Sequence, residues 1–274
     1  YQSSDTIILN GDVISSTFFM LSRWEEKHVK TTDEHKRFKY CDSIAFKHSF
    51  ITIPIVDEYA MLLRSYLKTL LPDVELGENK FSLKLSHDID VIRRFENARV
   101  SIITLLGDII KRRSISIFIN SISSLIKSII NPLKDPYYTG IYELAKISEK
   151  YRIKGAFYFK TSDRSQFDSG YVMSKELKRL INKLQESNHE IGFHPGYYTF
   201  ENYQKFLSEK TKLDNIIGYG KYGGRQHYLR FDVNSTWRYW ENANLLYDSS
   251  LGYAEHEGFR CGTCHPFKVF DLKD

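Results

Sequence analysis

A chain of 274 residues, 42% hydrophobic and 15% aromatic, has enough apolar mass for one large core, or for one domain with a smaller companion. Its 39 basic and 34 acidic side chains leave a formal charge of +5, with the basic residues scattered apart from groups such as Lys111-Arg112-Arg113. This excludes the dense basic stripe of a nucleic-acid binder and leaves room for an acidic glycan or a membrane surface as partner.

Three cysteines, Cys41, Cys261 and Cys264, are too few and odd in number for a disulfide scaffold, and they fit a reducing, cytoplasmic compartment. Cys261-Gly262-Thr263-Cys264 has CxxC spacing with no second pair. A structural zinc site needs about four ligands, so two ordinary thiols near a turn are expected, with a redox pair as the lesser alternative. The chain opens on Tyr1 and reads as a segment of something longer. No signal-peptide pattern opens it and no run of about 18 apolar residues occurs.

In chain order, 17–28 reads as a helix, with apolar and aromatic residues at helical spacing followed by charges. Residues 31–43 are polar and loop-like, and 53–71 form a strong amphipathic helix with Pro54 at its first turn. Alternation over 80–90 predicts a strand with Phe81, Leu83 and Leu85 on one side. The Ile-rich stretch 99–137 predicts one or two amphipathic helices ended by Pro132 and Pro136, packed on the protein's own body or, alternatively, lying on a membrane through 99–131. Helices over 141–151, 174–187 (with Ser174 as N-cap), 199–214 and 235–244 then alternate with strands over 154–160, 189–195 and 245–251. That alternation predicts parallel strands with crossover helices, in a barrel or a doubly wound sheet, whose chemistry gathers at the carboxyl ends of the strands.

At such an end stands "LSHDIDV" (85–91). In an extended backbone Ser86, Asp88 and Asp90 share a face and His87 points away. Two carboxylates on one face repel unless a cation or a proton sits between them. In "NHEIGFHP" (188–195) the same parity separates His189 from His194. His194 occupies the strand end where a ligand belongs; His189 is expected to pack or cap, and Glu190 is a lesser candidate. Arg225 and His227 are two apart in "GGRQHYLRF" (223–231) and aim one way if extended, and His265 follows the CxxC pair. Gly218, Gly220 and Gly223 have GxGxxG spacing but follow a polar helix rather than a strand, so a dinucleotide site is rejected.

"LSHDIDV", "HEIGFHP", "GGRQHYLRF" and "YDSSLGY", in this order, resemble the polysaccharide deacetylase (NodB homology) family, in a bacterial branch with an extra N-terminal domain. The resemblance implies an α/β fold: an N-terminal, mainly helical block over 1–78 and a distorted, incomplete (β/α) barrel over 79–274. That barrel would carry a helical insertion near 97–135 and be truncated at its C-terminal end. It also implies a divalent metal, usually zinc, and removal of N- or O-acetyl groups from a sugar of a surface polysaccharide or its precursor. Residue by residue, Asp88 matches the base and Asp90 the metal-binding Asp, roles that can exchange because Ile89 intervenes. His194 matches the first metal His, and the second falls on Tyr198. Arg225 resembles the Arg that steadies the base, and His265 or His227 would serve as the late general acid. His227, Tyr198 and Trp237 are the expected sugar contacts, with Tyr197 also at the rim. A catalytically inactive glycan-binding module is the competing expectation.

Overall fold

The protein is described by a computed structural model over residues 2–3, 6–77, 80–171, 174–218 and 221–272. Gly220 of the GxGxxG spacing lies outside these. Strands β1 (Gln2–Ser3) and β2 (Thr6–Ile7) pair antiparallel. The helix expected over 17–28 is in fact two: α1 (Val13–Leu21), capped by Asp12, and α2 (Trp24–His28). Arg23 breaks them with a left-handed backbone, φ 56°. Its buried guanidinium bonds Glu25 at 2.7 Å and Glu26 at 2.8 Å, and those ion pairs hold a conformation that sequence periodicity does not register. After α3 (Ile44–Lys47), α4 (Ile55–Leu70) starts directly after Pro54, the position where a missing N–H costs nothing.

Strand β3 (Leu85–Ile89) is shorter than the alternation suggests. Phe81 is 92% exposed, so the apolar side of 80–84 buries nothing. Two helices, α5 (Ala98–Ile110) and α6 (Ile115–Ile130), occupy the Ile-rich stretch. Pro136 opens α7 (Pro136–Lys150) rather than closing a helix. The carboxylate of Asp135 caps it, accepting from Tyr137 N–H at 3.0 Å, and proline is pre-organised for that first turn. Then follow β4 (Gly155–Phe159), α8 (Lys175–Glu186, capped by Ser174), β5 (Glu190–Phe193), α9 (Tyr203–Ile217) and α10 (Thr236–Asn242). The strand expected over 245–251 does not form; a single bridge joins Gly224 and Asp248. The result is a mixed α/β fold, about 48% helix, with a parallel three-stranded sheet.

The chain folds as two compact units. One comprises Leu83–Gly196 and Gln204–Tyr222 and carries the sheet in the order β3-β4-β5, all parallel. Central β4 is buried on both faces: Ala156, Phe157, Tyr158 and Phe159 are all inaccessible, as parallel strands between layers require. Leu177, Leu180, Ile181 and Leu184 line one stripe of α8 and are buried. Each contributes roughly 1.5–3 kcal/mol on leaving water.

The other unit comprises Tyr1–Ser82, Tyr197–Tyr203 and Gly223–Asp274. Its apolar clusters are Phe38, Ala45, Ile51 and Tyr253, and Phe231, Val233 and Trp237. A sealed ionic group accompanies them. Arg260 grips Glu26 with two bonds, at 2.8 and 2.7 Å, while Arg23 holds the same carboxylate from the other side. Burial opposes the charge of Glu26, but the two guanidiniums outweigh it and hold its carboxyl below the usual range.

Candidate functional site

Three strands of the sheet end in step. The register pairs Ile89 with Phe159 and Phe159 with Phe193. The next residue of each strand, Asp90, Lys160 and His194, therefore stands in one row at the carboxyl edge. His194 N–H continues the ladder by donating to the Phe159 carbonyl at 2.9 Å. The side chains converge: His194 Nε2 lies 3.3 Å from Asp90 Oδ1, and Lys160 Nζ lies 3.8 Å from the same oxygen. His194 is 1% and Lys160 2% exposed, whereas the Asp90 side chain is half exposed. The row thus has a dry floor and a wet rim.

Neighbouring groups hold it. Lys160 Nζ pairs with buried Asp168 at 2.9 Å. The Tyr171 hydroxyl accepts from Lys160 N–H at 2.6 Å and donates to the Ile89 carbonyl at 3.1 Å, tying the ends of β3 and β4 together. Burial pushes the Tyr171 phenol far up, so it stays a neutral donor. The Ser169 hydroxyl donates to the Asp90 carbonyl. Asp88, on the same face by parity, is exposed and stands opposite Tyr158 in register. His87 turns to the other face, its ring 4.9 Å from that of Phe157.

The parity reading of the second motif holds as well. His189 is buried, with Nδ1 accepting from Gly155 N–H at 3.1 Å: a packed histidine, not a ligand. Glu190 pairs with Lys84 at 3.2 Å. Just past His194, Gly196 N–H donates to Glu209 Oε2 at 2.8 Å, while Oε1 is buried with no hydrogen-bond partner among the described residues. Burial raises the Glu209 carboxyl to about 7. A Cβ at Gly196 would stand 2.5 Å from Ser162 Cβ, so glycine is required there.

The remaining candidates belong to the other unit. The third and fourth motifs lie against each other: Ser249 N–H donates to the Gly224 carbonyl at 2.9 Å, and Arg225 Nε donates to the Ser249 carbonyl at 3.2 Å. His227 is buried in a short 3-10 turn with its ring 4.7 Å from that of Tyr228. Gln226, between Arg225 and His227, is extended (φ −66°, ψ 134°), and the backbone turns only after His227, at Tyr228, φ 61°. Tyr198 is exposed, its ring edge-on to Tyr197 at 5.2 Å. Trp237, expected at a rim, is instead buried edge-on to Phe231 at 5.0 Å; the apolar cluster takes up its face.

His265 is exposed and grouped with Asp57 and Cys264, their ligand atoms within 4.8 Å of one another. The Asp57 carboxylate accepts from Thr263 Oγ1 at 2.6 Å, Cys264 N–H at 2.9 Å and the Cys264 thiol at 3.1 Å. Burial opposes the Asp57 charge, but these donors hold its carboxyl below the usual range. Such a group could hold a metal ion without selecting zinc. The three cysteines are free. Burial pushes the Cys261 thiol up to about 11, and the Asp57 carboxylate raises that of Cys264; raised thiol pKa values are the reverse of what a redox pair needs.

Lys160, Asp168, Tyr171 and Glu209 escape the sequence reading. Lys160 ends the segment read as a strand, "KGAFYFK", so asking which residue follows each strand would have found it. Asp168, Tyr171 and Glu209 leave no local signal. Among known proteins, residues 1–72 are similar to a family of unknown function, DUF7033. No curated protein and no solved structure matches the chain.

Proposed function

We propose that this protein is a metal-dependent carbohydrate deacetylase, acting on an N- or O-acetylated sugar of a bacterial surface polysaccharide or its precursor, in the cytoplasm. The observation that carries the reading is the 3.3 Å approach of the Asp90 carboxylate and the His194 imidazole at the carboxyl ends of two parallel strands, where α/β folds place their chemistry. It is supported by the resemblance of "LSHDIDV" and "HEIGFHP" to the deacetylase motifs. That resemblance also reads the β3-β4-β5 sheet and its crossover helices as part of an incomplete (β/α) barrel.

A carboxylate oxygen and an imidazole nitrogen at this separation suit a divalent ion such as Zn²⁺, and Asp90 and His194 would hold it. A bound dication supplies polarisation of the acetyl carbonyl and acidification of water. Asp88, exposed two residues before Asp90 on the same face, is the base that takes the proton from the attacking water. Lys160 and Tyr171 position Asp90: the ammonium, shared with Asp168, draws the Asp90 carboxylate to the row, and the phenol fixes both strand ends.

A second reading rests on Lys160 itself. An ammonium 3.8 Å from Asp90 already compensates the carboxylate, and a dication must enter beside it against charge repulsion. In that reading the unit binds a glycan without hydrolysing it.

The test is metal analysis of the zinc-loaded chain in a Cys264→Ser background, which removes the thiol from the other candidate group, with acetate release from N- and O-acetylated oligosaccharides. Metal should be lost in Asp90→Asn and in His194→Ala. Acetate release should vanish in Asp88→Asn with metal retained. Metal unaffected by both ligand substitutions, or no acetate from any substrate, refutes the enzyme; glycan binding without acetate release then selects the second reading.

A further inference from the structure

Helices α5 and α6, which pack against each other across the turn 111–114, are built the wrong way round for a helix pair on a water-soluble body. A surface helix normally turns its apolar stripe inward and its polar face to water. Here the fully buried positions are polar, Ser101 and Asp108 on α5 and Ser121 and Ser128 on α6, with Leu105, Phe118, Ile122 and Leu125 only half-buried. In each helix the two are seven apart, two turns along one face.

Polar bonds hold that inner face. Arg94 donates to Ser121 Oγ at 2.9 Å and pairs with Asp108 at 3.6 Å. Ser128 Oγ donates to the buried Asp135 carboxylate at 3.1 Å, which also accepts from Arg94 and Phe95 N–H at 2.8 and 3.1 Å.

The outer face is apolar. Ile103, Leu106 and Ile110 on α5, and Ile119, Ile126 and Ile130 on α6, are all exposed, reaching 70% at Ile110 and 78% at Ile130. Their spacings of three, four and seven place each set on one side of its helix. Isolated exposed apolar residues are ordinary on a protein surface; eleven exposed isoleucine and leucine side chains on two helices that pack together mark an interaction site.

Charge identifies the occupant. Residues 97–134 contain six basic side chains, Arg99, Lys111, Arg112, Arg113, Lys127 and Lys134, and one acidic side chain, Asp108. Asp108 is buried and paired with Arg112, so the exposed charge of the hairpin is wholly positive. Basic residues flanking an apolar helical face match an anionic lipid surface, where isoleucines enter the acyl boundary and lysines and arginines meet phosphates. The helices have 13 and 16 residues, roughly 20 and 24 Å, short of the ~30 Å hydrocarbon core. No helix among the described residues is long and apolar enough to cross a membrane. The pair therefore lies in the interface rather than through it.

We propose that the α5–α6 hairpin docks this protein on an anionic lipid bilayer. The inference stands apart from the deacetylase reading.

Flotation of the full chain with phosphatidylcholine vesicles, with and without phosphatidylglycerol, tests it. The chain should float with the anionic vesicles and about tenfold less with zwitterionic ones or at high salt. Ile110→Asp with Ile130→Asp should abolish flotation with the melting temperature unchanged, since both side chains are exposed. Lys111→Glu with Arg113→Glu should remove the phosphatidylglycerol dependence. Asp90→Asn should float like the parent, separating this result from the fate of the catalytic proposal. No flotation with anionic vesicles overturns the inference, as does flotation untouched by the Ile→Asp pair. Light scattering provides the other arm: self-association dispersed by the same pair, in a chain that ignores vesicles, assigns the face to a second copy and likewise overturns it.

Discussion

Arg260 with Glu26, and Lys160 with Asp90, are both cation–carboxylate contacts with a buried cation, and they differ in how far the carboxylate is closed off from solvent. Around Glu26 every charge is matched. Two guanidiniums face the carboxylate, Arg260 takes both oxygens at 2.8 and 2.7 Å, and all three side chains are at most 5% exposed. Nothing can enter, and the group closes a core. Around Asp90 the contacts are longer, 3.3 Å to His194 and 3.8 Å to Lys160, they crowd one oxygen, and the side chain is half open to solvent. A carboxylate held at one edge and wet at the other exchanges with solvent, whereas the sealed one does not.

The largest effect should come from breaking the closed group. Arg260→Ala leaves Glu26 buried with half its compensation, and removing one partner of a sealed pair costs about 3–5 kcal/mol, read as a lower urea midpoint. A cost under about 1 kcal/mol would erase the contrast. Glu209 provides an intermediate case, a buried carboxyl whose desolvation outweighs the pull of Lys205 and Lys212. Burial raises it from 4.5 to about 7, so across that window the folded state keeps a proton that the unfolded chain has released. Stability should therefore fall as pH rises from about 4.5 to about 7. Glu209→Gln should flatten that slope and stabilise the protein above pH 7 by up to roughly 3 kcal/mol, measured by urea unfolding at several pH values. The smallest effect is expected at the open group. Asp90→Asn should shift stability by less than about 1 kcal/mol, as for other half-exposed pairs, while removing the bound metal of the proposed site. A loss as large as that of Arg260→Ala would make Asp90 a structural group.

The elements that were legible in the sequence are those specified by neighbours in the chain. Ser174 at the head of a 3.6-residue apolar period fixes α8, whose cap bond to Leu177 N–H is 3.2 Å, and short runs of strand-forming residues mark β4 and β5, while alternation over 80–90 marks β3 but overruns its start. Parity along those strands turns His87 and His189 to the face of Phe157, away from Asp90 and His194 at the strand ends. The misses share a cause. Arg23 splits a helix because Glu26 and Arg260, the latter 237 residues away, hold its side chain. Phe81 and Leu83 alternate but have nothing to pack on. Trp237 is indistinguishable from a sugar platform until Phe231 is found edge-on to it.

The sequence by itself determined most helices, the cores of β3, β4 and β5 and which residues stand at their ends, because capping, periodicity and pleat act over a few residues; the break at Arg23 and the missing strand over 245–251 lay beyond it. Only the tertiary structure decided that β4 lies between β3 and β5, putting Lys160 beside Asp90 and His194, and that α5 and α6 turn serine and aspartate inward and isoleucine outward. An amphipathic pattern states that two faces differ. Which face meets the body is set by the partners that distant segments supply, here Arg94 and Asp135, and no local rule carries that information.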